Sequence, residues 1–117
     1  MKSPIQRKAG AIFIPVKNIE KARDWYCDLL GISPNLDIQF GHLYILPVEN
    51  VGVILDSKIY EEGKTFATPA FHFNTKDIHA SYEYMNSKGV EVVTPIQHDH
   101  FFTFKDPDGN LLMICEC

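Results

Sequence analysis

The chain has 117 residues, 45% hydrophobic and 22% charged, with fifteen Asp plus Glu against eleven Lys plus Arg for a formal charge of −4. That length normally makes one domain with a proper core, and an acidic chain without a Lys/Arg cluster argues against nucleic acid and against a membrane surface as partners. No apolar run approaches the ~20 residues that span a bilayer, and Met1–Lys8 carries Lys2, Arg7 and Lys8 without an apolar core, so no signal peptide is expected and the chain is expected to be cytoplasmic.

Ala9–Val16 alternates, with Ile12, Ile14 and Val16 on one face and Ala11, Phe13 and Pro15 on the other, which predicts a strand. Pro15 cannot donate to a ladder and belongs at an edge or near the strand end. Asn18 is a good helix N-cap, and Glu20 puts a carboxylate in the first turn. Ile19, Ala22, Trp25 or Tyr26, and Leu29 recur at helical spacing, and Gly31 can take the left-handed conformation that ends a helix. Ser33-Pro34-Asn35 turns the chain. Leu36–Phe40 is predicted as a strand, Gly41 as a turn, His42–Val48 as a strand, Glu49-Asn50 as a hairpin-like turn and Val51–Asp56 as a further strand. Ser57–Thr68 has little periodicity and is the one credible linker.

The pattern then restarts. Pro69–Thr75 is a predicted strand and Asp77 an N-cap. Ile78, Ser81 or Tyr82, and Met85 form an apolar stripe that Gly89 closes. Val90–Val93, His100–Phe104 and Asn110–Glu116 are predicted strands, with Asp106-Pro107-Asp108-Gly109 a strong turn signal between the last two. Ala11 and Ala70 stand 59 positions apart, while His42–Leu46 and His100–Phe104 stand 58 apart, as do Val53–Leu55 and Leu111–Met113. A βαβββ unit therefore occurs twice, in half repeats of about 9–57 and 68–117 within a single domain spanning 1–117. The expected class is α+β: a curved, mostly antiparallel sheet around a central trough, with the helices outside.

Cys27, Cys115 and Cys117 make an odd count, which reads as free thiols and not as a disulfide framework. Cys115 and Cys117 share one face of a strand. A metal or redox site there would need further thiols or histidines close by, so the reading is of inert, buried thiols.

The segment Val16-x-Asn18-Ile19-Glu20-Lys21-Ala22-x-x-Trp25-Tyr26-x-x-Leu29-Leu30-Gly31 resembles the first-half signature of the vicinal oxygen chelate superfamily. Phe104-x-Asp106-Pro107-Asp108-Gly109-Asn110 is similar to its second-half turn. That superfamily contains glyoxalase I, bleomycin- and fosfomycin-resistance proteins and extradiol dioxygenases, and the likeness runs from about Ala9 to Glu116. It implies a divalent ion in the trough, but counted from the caps Asn18 and Asp77 and from the Asp106 turn, the implied ligand positions are Ala11, Ala70 and Met113, with Leu55 as the first-half counterpart of Met113. Apolar side chains cannot compensate a divalent charge, and a thioether suits only soft metals. No metal and no cofactor are therefore expected, and every metal-dependent activity of the superfamily is placed in doubt.

The trough is expected to be lined by Ala11, Phe13, Leu55, Ala70, His72, Asn74, Phe102 or Phe101, and Met113. Apolar and aromatic walls with a few polar groups suit a small hydrophobic or aromatic molecule. The function expected is small-molecule binding of the bleomycin-resistance type. The alternative is a superfamily enzyme (lyase, isomerase or dioxygenase-like), with His72 as a metal-free base or with relocated ligands among His72, His98, His100 and Asp56. A third possibility is a structural module whose trough mediates association. The resemblance also implies a homodimer, paired through sheet edges.

Overall fold

The computed structural model describes residues 1–117. In the first half, β1 (Ala11–Pro15) leads into α1 (Ile19–Leu30), followed by β2 (Leu43–Leu46) and β3 (Gly52–Asp56). Asn18 is extended and its side chain accepts the Lys21 N–H at 3.0 Å, which satisfies one of the donors that a helix start leaves free. Gly31 ends the helix at φ 70°, and the next residue, Ile32, donates back to the Cys27 carbonyl at 2.9 Å. In the second half, β4 (His72–Asn74) leads into α2 (Ile78–Ser87), then β5 (Glu91–Val92), β6 (Phe101–Lys105) and β7 (Leu111–Cys115). Asp77 caps α2 by accepting the Ala80 N–H at 3.0 Å, and Gly89 turns the chain at φ 72°. Both caps and both terminating glycines stand where the sequence places them.

The strands form two sheets, of order β1-β3-β2 and β4-β7-β6-β5. Each has one parallel pair, β1 with β3 and β4 with β7, and its remaining pairs are antiparallel. The second half is a full βαβββ unit. The first is not: Leu36–Phe40 is no strand, and only an isolated bridge joins Gln39 to Leu43. At a step of 58, the residues matching β5 are Ser33 and Pro34, and a proline has no N–H for the ladder. What survives of the repeat is the corner. Phe40 (φ 52°) and Gly41 (φ 75°) match His98 (φ 52°) and Asp99 (φ 56°), and the bridge Gln97–Phe101 matches Gln39–Leu43.

Register corrects two expectations. The first hairpin pairs Leu43 with Asp56, and the second pairs Phe101 with Cys115. The step from β2 to β6 is thus 58 but that from β3 to β7 is 59, because the second hairpin is one residue longer. Met113 therefore matches Ile54 and not Leu55. A slip of one residue sends a side chain to the opposite face of a strand, and Leu55 is fully buried in the core. Phe102 is also fully buried, edge-on against Tyr82 of α2 at 5.2 Å between ring centroids. Phe101 takes the open face in its place.

One apolar cluster serves both halves, including Ile14, Tyr26, Leu29, Tyr44 and Leu55 from the first and Ile78, Met85, Phe102, Phe104 and Leu112 from the second. The helices meet across it: the Tyr84 hydroxyl donates to the Leu29 carbonyl at 3.0 Å, and Lys88 Nζ reaches Asp28 Oδ2 at 3.1 Å. The sheet faces turned away from the helices are left open, with Phe13 45% and Ile45 48% exposed.

A polar clasp also ties the halves. The Tyr26 hydroxyl donates to Asp106 Oδ2 at 2.6 Å, and Asn110 Nδ2 donates to the Pro15 carbonyl at 2.8 Å and to Asp106 Oδ2 at 2.9 Å. Asp106 Oδ1 accepts the N–H groups of Asp108 and Asn110, each at 2.9 Å, and Asn110 Oδ1 accepts the Phe66 N–H at 2.9 Å. Asp106 and Asn110 are buried with every bonding group matched. The Asp-Pro-Asp-Gly-Asn turn is thus the seam of the domain, and the Trp-Tyr pair of α1 supplies its partner.

Candidate ligand-binding site

The largest cavity, about 570 Å³, lies between the helix-side face of β1 and β3 and the edge strand β4. Ile12, Val48, Val51, Val53, Phe71 and Phe73 give it apolar walls, while Glu49, Asn50, His72 and Asn74 bring polar groups. The volume suits a small organic molecule, for which pockets run to roughly 300–1,000 Å³. β4 lies at a sheet edge, and its unpaired side borders the cavity, so Phe71 and Phe73 from one face and His72 and Asn74 from the other all line it. A second cavity of about 440 Å³ lies at the start of α1, among Lys17, Asn18, Lys21, Tyr26, Pro107 and Asp108. Burial raises the Asp108 carboxyl above its ordinary value, against a backbone hydrogen bond from Lys17 that lowers it. Burial likewise pushes the Tyr26 phenol well above the usual range, and the adjacent Asp106 charge adds to this.

Of the expected trough residues, His72 and Asn74 line the main cavity. Ala11, Phe13 and Ala70 are exposed and Met113 is half-buried, apart from that cavity. Leu55 and Phe102 belong to the core, as described above. The relocated-ligand set is not brought together either. Asp56 is buried in the first half, 3.0 Å from His42 Nδ1 and accepting the Lys58 N–H at 2.9 Å. His98 and His100 are exposed, with His98 beside the Phe101 ring.

His72 has other neighbours. β4 runs parallel to β7 with His72 opposite Met113 and Asn74 opposite Cys115, so His72 and Cys115 share a face one step apart. The donor atoms of His72, Cys115 and Cys117 lie within 4.8 Å of one another. Cys115 and Cys117 are joined as a disulfide and only Cys27 is a free, buried thiol, which corrects the expectation of three free thiols. The histidine that a Cys-x-Cys pair requires was present in the sequence. Finding it takes the ladder register, which sequence spacing does not supply.

A family model described as Glyoxalase/Bleomycin resistance protein/Dioxygenase superfamily matches residues 8–114. The chain belongs to this superfamily. A glyoxalase/bleomycin resistance/dioxygenase superfamily member from Sphaerobacter thermophilus DSM 20745 is 27% identical, with coverage of 96% of this chain and 98% of that one and a TM-score of 0.71. TnmS3, an antibiotic binding protein from Streptomyces sp. CB03234, shares the fold at 19% identity, with 98% of each chain covered and a TM-score of 0.70. YetH of Bacillus subtilis (strain 168), an uncharacterised protein, is 24% identical over 94% of this chain and 98% of its own.

The superfamily's customary metal does not fit this chain. Register places Ala11, Ile54, Ala70 and Met113 at the implied positions, and among them only a thioether can donate. No carboxylate or imidazole stands there to hold a hard cation.

Proposed function

We propose that the chain is a small-molecule-binding protein of the glyoxalase/bleomycin-resistance type that works without the superfamily's metal. The observation that carries this reading is the apolar cavity beside β4, with His72 and Asn74 as its orienting polar groups, in a chain whose implied ligand positions hold Ala11, Ala70 and Met113. Its occupant is a small hydrophobic or aromatic compound, since Phe71, Phe73 and the valines offer dispersion contact and few hydrogen bonds. A fold shared with an antibiotic binding protein is in keeping with it. The working form is a cytoplasmic homodimer, in which a second copy covers the open sheet faces around Phe13 and Ile45. A catalytic second reading rests on His72 alone: an exposed imidazole at a cavity can act as a general base.

The test is a thermal-shift screen of aromatic and apolar compounds against chelator-treated protein. A ligand at a hundred times its dissociation constant stabilises by about 2.7 kcal/mol, a shift of several degrees. Val48→Trp, which fills the cavity, should abolish the shift. A screen with no hit, or hits indifferent to Val48→Trp, would overturn the reading in favour of a module that only mediates association.

A further inference from the structure

We propose that Cys115, Cys117 and His72 form a redox-gated site for a thiophilic d10 cation such as Zn²⁺, open when the thiols are reduced and closed by the Cys115–Cys117 disulfide. Three observations carry it. The ligand atoms of the three residues already lie within 4.8 Å of one another. Two thiolates and one imidazole around zinc need separations of about 3.5–3.8 Å, given metal–ligand distances near 2.0–2.3 Å in a tetrahedron. The cluster therefore needs only side-chain rotation at His72 and Cys115, whose Cα positions β4 and β7 hold, and an adjustment at Cys117 just beyond the end of β7. His72 and Cys115 come from hydrogen-bonded neighbours, β4 and β7, and the Cys115 carbonyl accepts the Thr75 N–H at 3.0 Å.

The disulfide itself has little structural role. Its partners are two residues apart, and so short a loop removes little freedom from the unfolded chain. It staples no two elements, so what it controls is the chemistry of its own sulfurs. Cys115 is buried and Cys117 is exposed, which gives the pair one reachable thiol and one sheltered thiol. Glu116, between them, is turned away: its carboxylate accepts the Ile78 N–H at 2.9 Å at the start of α2. The protein thus supplies three ligands and leaves a fourth position for water or a small thiol. None of the three stands at the superfamily's implied metal positions; His72 is shared with the main cavity, whereas Cys115 and Cys117 do not line it.

Closure by a low-molecular-weight disulfide balances. The Cys117 thiolate attacks one sulfur of the small disulfide, forming a mixed disulfide and expelling one thiolate. The Cys115 thiolate then attacks the Cys117 sulfur, forming the Cys115–Cys117 bond and expelling the second thiolate. The protein loses two electrons, the small disulfide gains them, and the cation leaves with its two sulfur ligands consumed. In a reducing compartment such a pair is open or transient.

The experiment measures Zn²⁺ alone against the full chain, by competition with a chromogenic chelator and by elemental analysis after desalting. Reduced protein should hold one Zn²⁺ per chain, and protein oxidised with a small disulfide should hold none. Cys117→Ser and His72→Ala alter exposed residues and leave the fold intact, and each should weaken binding at least tenfold. Reduced wild-type protein that retains no more zinc than Cys117→Ser, or His72→Ala that binds as tightly as wild type, would overturn the proposal. Zinc that persists after full oxidation would overturn the gating.

Discussion

Asp56 and Cys115 occupy the same place in the repeat, each closing the strand that runs parallel to its half's first strand, opposite Leu43 and Phe101 respectively. The two halves fill that place with different chemistry. Asp56 is a buried carboxylate already answered by His42 and by the Lys58 N–H, so its bonding capacity is spent on holding a corner. Cys115 needs no such partner, because a thiol is a weak donor and a weak acceptor that tolerates burial. It is bonded to Cys117, and the donor atoms of His72, Cys115 and Cys117 lie within 4.8 Å of one another. One backbone position is structural in one half and chemically available in the other. The same contrast separates the Tyr26–Asp106–Asn110 clasp, where every group is matched, from the β4 edge, where His72 and Asn74 face a cavity.

Substitutions sharpen this contrast, beginning with the clasp. Asp106→Ala strips Tyr26 and Asn110 of their acceptor in a buried site and should cost about 3–5 kcal/mol in urea unfolding. Tyr26→Phe removes one charge-assisted hydrogen bond and should cost about 1.5–3 kcal/mol. It should also change the alkaline limb. The folded-state phenol is raised, so its contribution is full below the unfolded value near 10 and is lost as pH rises toward the folded value. Wild type should thus lose stability above about pH 10 more steeply than Tyr26→Phe. If the two profiles run parallel, the clasp is misassigned.

The Asp56 corner and the β4 edge come next. Asp56→Ala should cost about 1–3 kcal/mol by leaving the part-buried donors of His42 and Lys58 unanswered, whereas His72→Ala should stay within about 0.5 kcal/mol of wild type. Equal losses at Asp56 and His72 would break the comparison. The smallest effect on monomer stability is expected from Phe13→Asp, on an open face. There the change should be seen in light scattering, as a shift from dimer toward monomer.

Much of this was legible beforehand. Asn18, Asp77, Gly31 and Gly89 announce the helix ends because caps and left-handed residues are local requirements. The repeat itself is written in alternating side chains. The failures come from what a single chain position cannot carry. Pro34 stands where the counterpart of β5 would lie, while the apolar alternation Leu36-Ile38-Phe40 is persuasive but matches residues 94–98, which form no strand in the second half either, and Phe40 is 86% exposed on the corner. One added residue in the second hairpin reverses the assignment of Leu55, a change invisible without the ladder. The grouping of His72 with Cys115 depends on the pairing of β4 with β7 across some forty residues of sequence, and the cavity beside β4 depends on where an edge is left uncovered.

The central claim is that a ligand enters the cavity beside β4 without help from a metal at Ala11, Ala70 and Met113. The direct measurement is the mapping of backbone amide shifts when the strongest compound from the thermal screen is titrated into chelator-treated protein. The account predicts saturable shifts concentrated at Val48–Val53 and Phe71–Asn74 with no metal added. Shifts that appear only after a divalent cation is supplied, and that gather around Ala11, Ala70 and Met113, would contradict it.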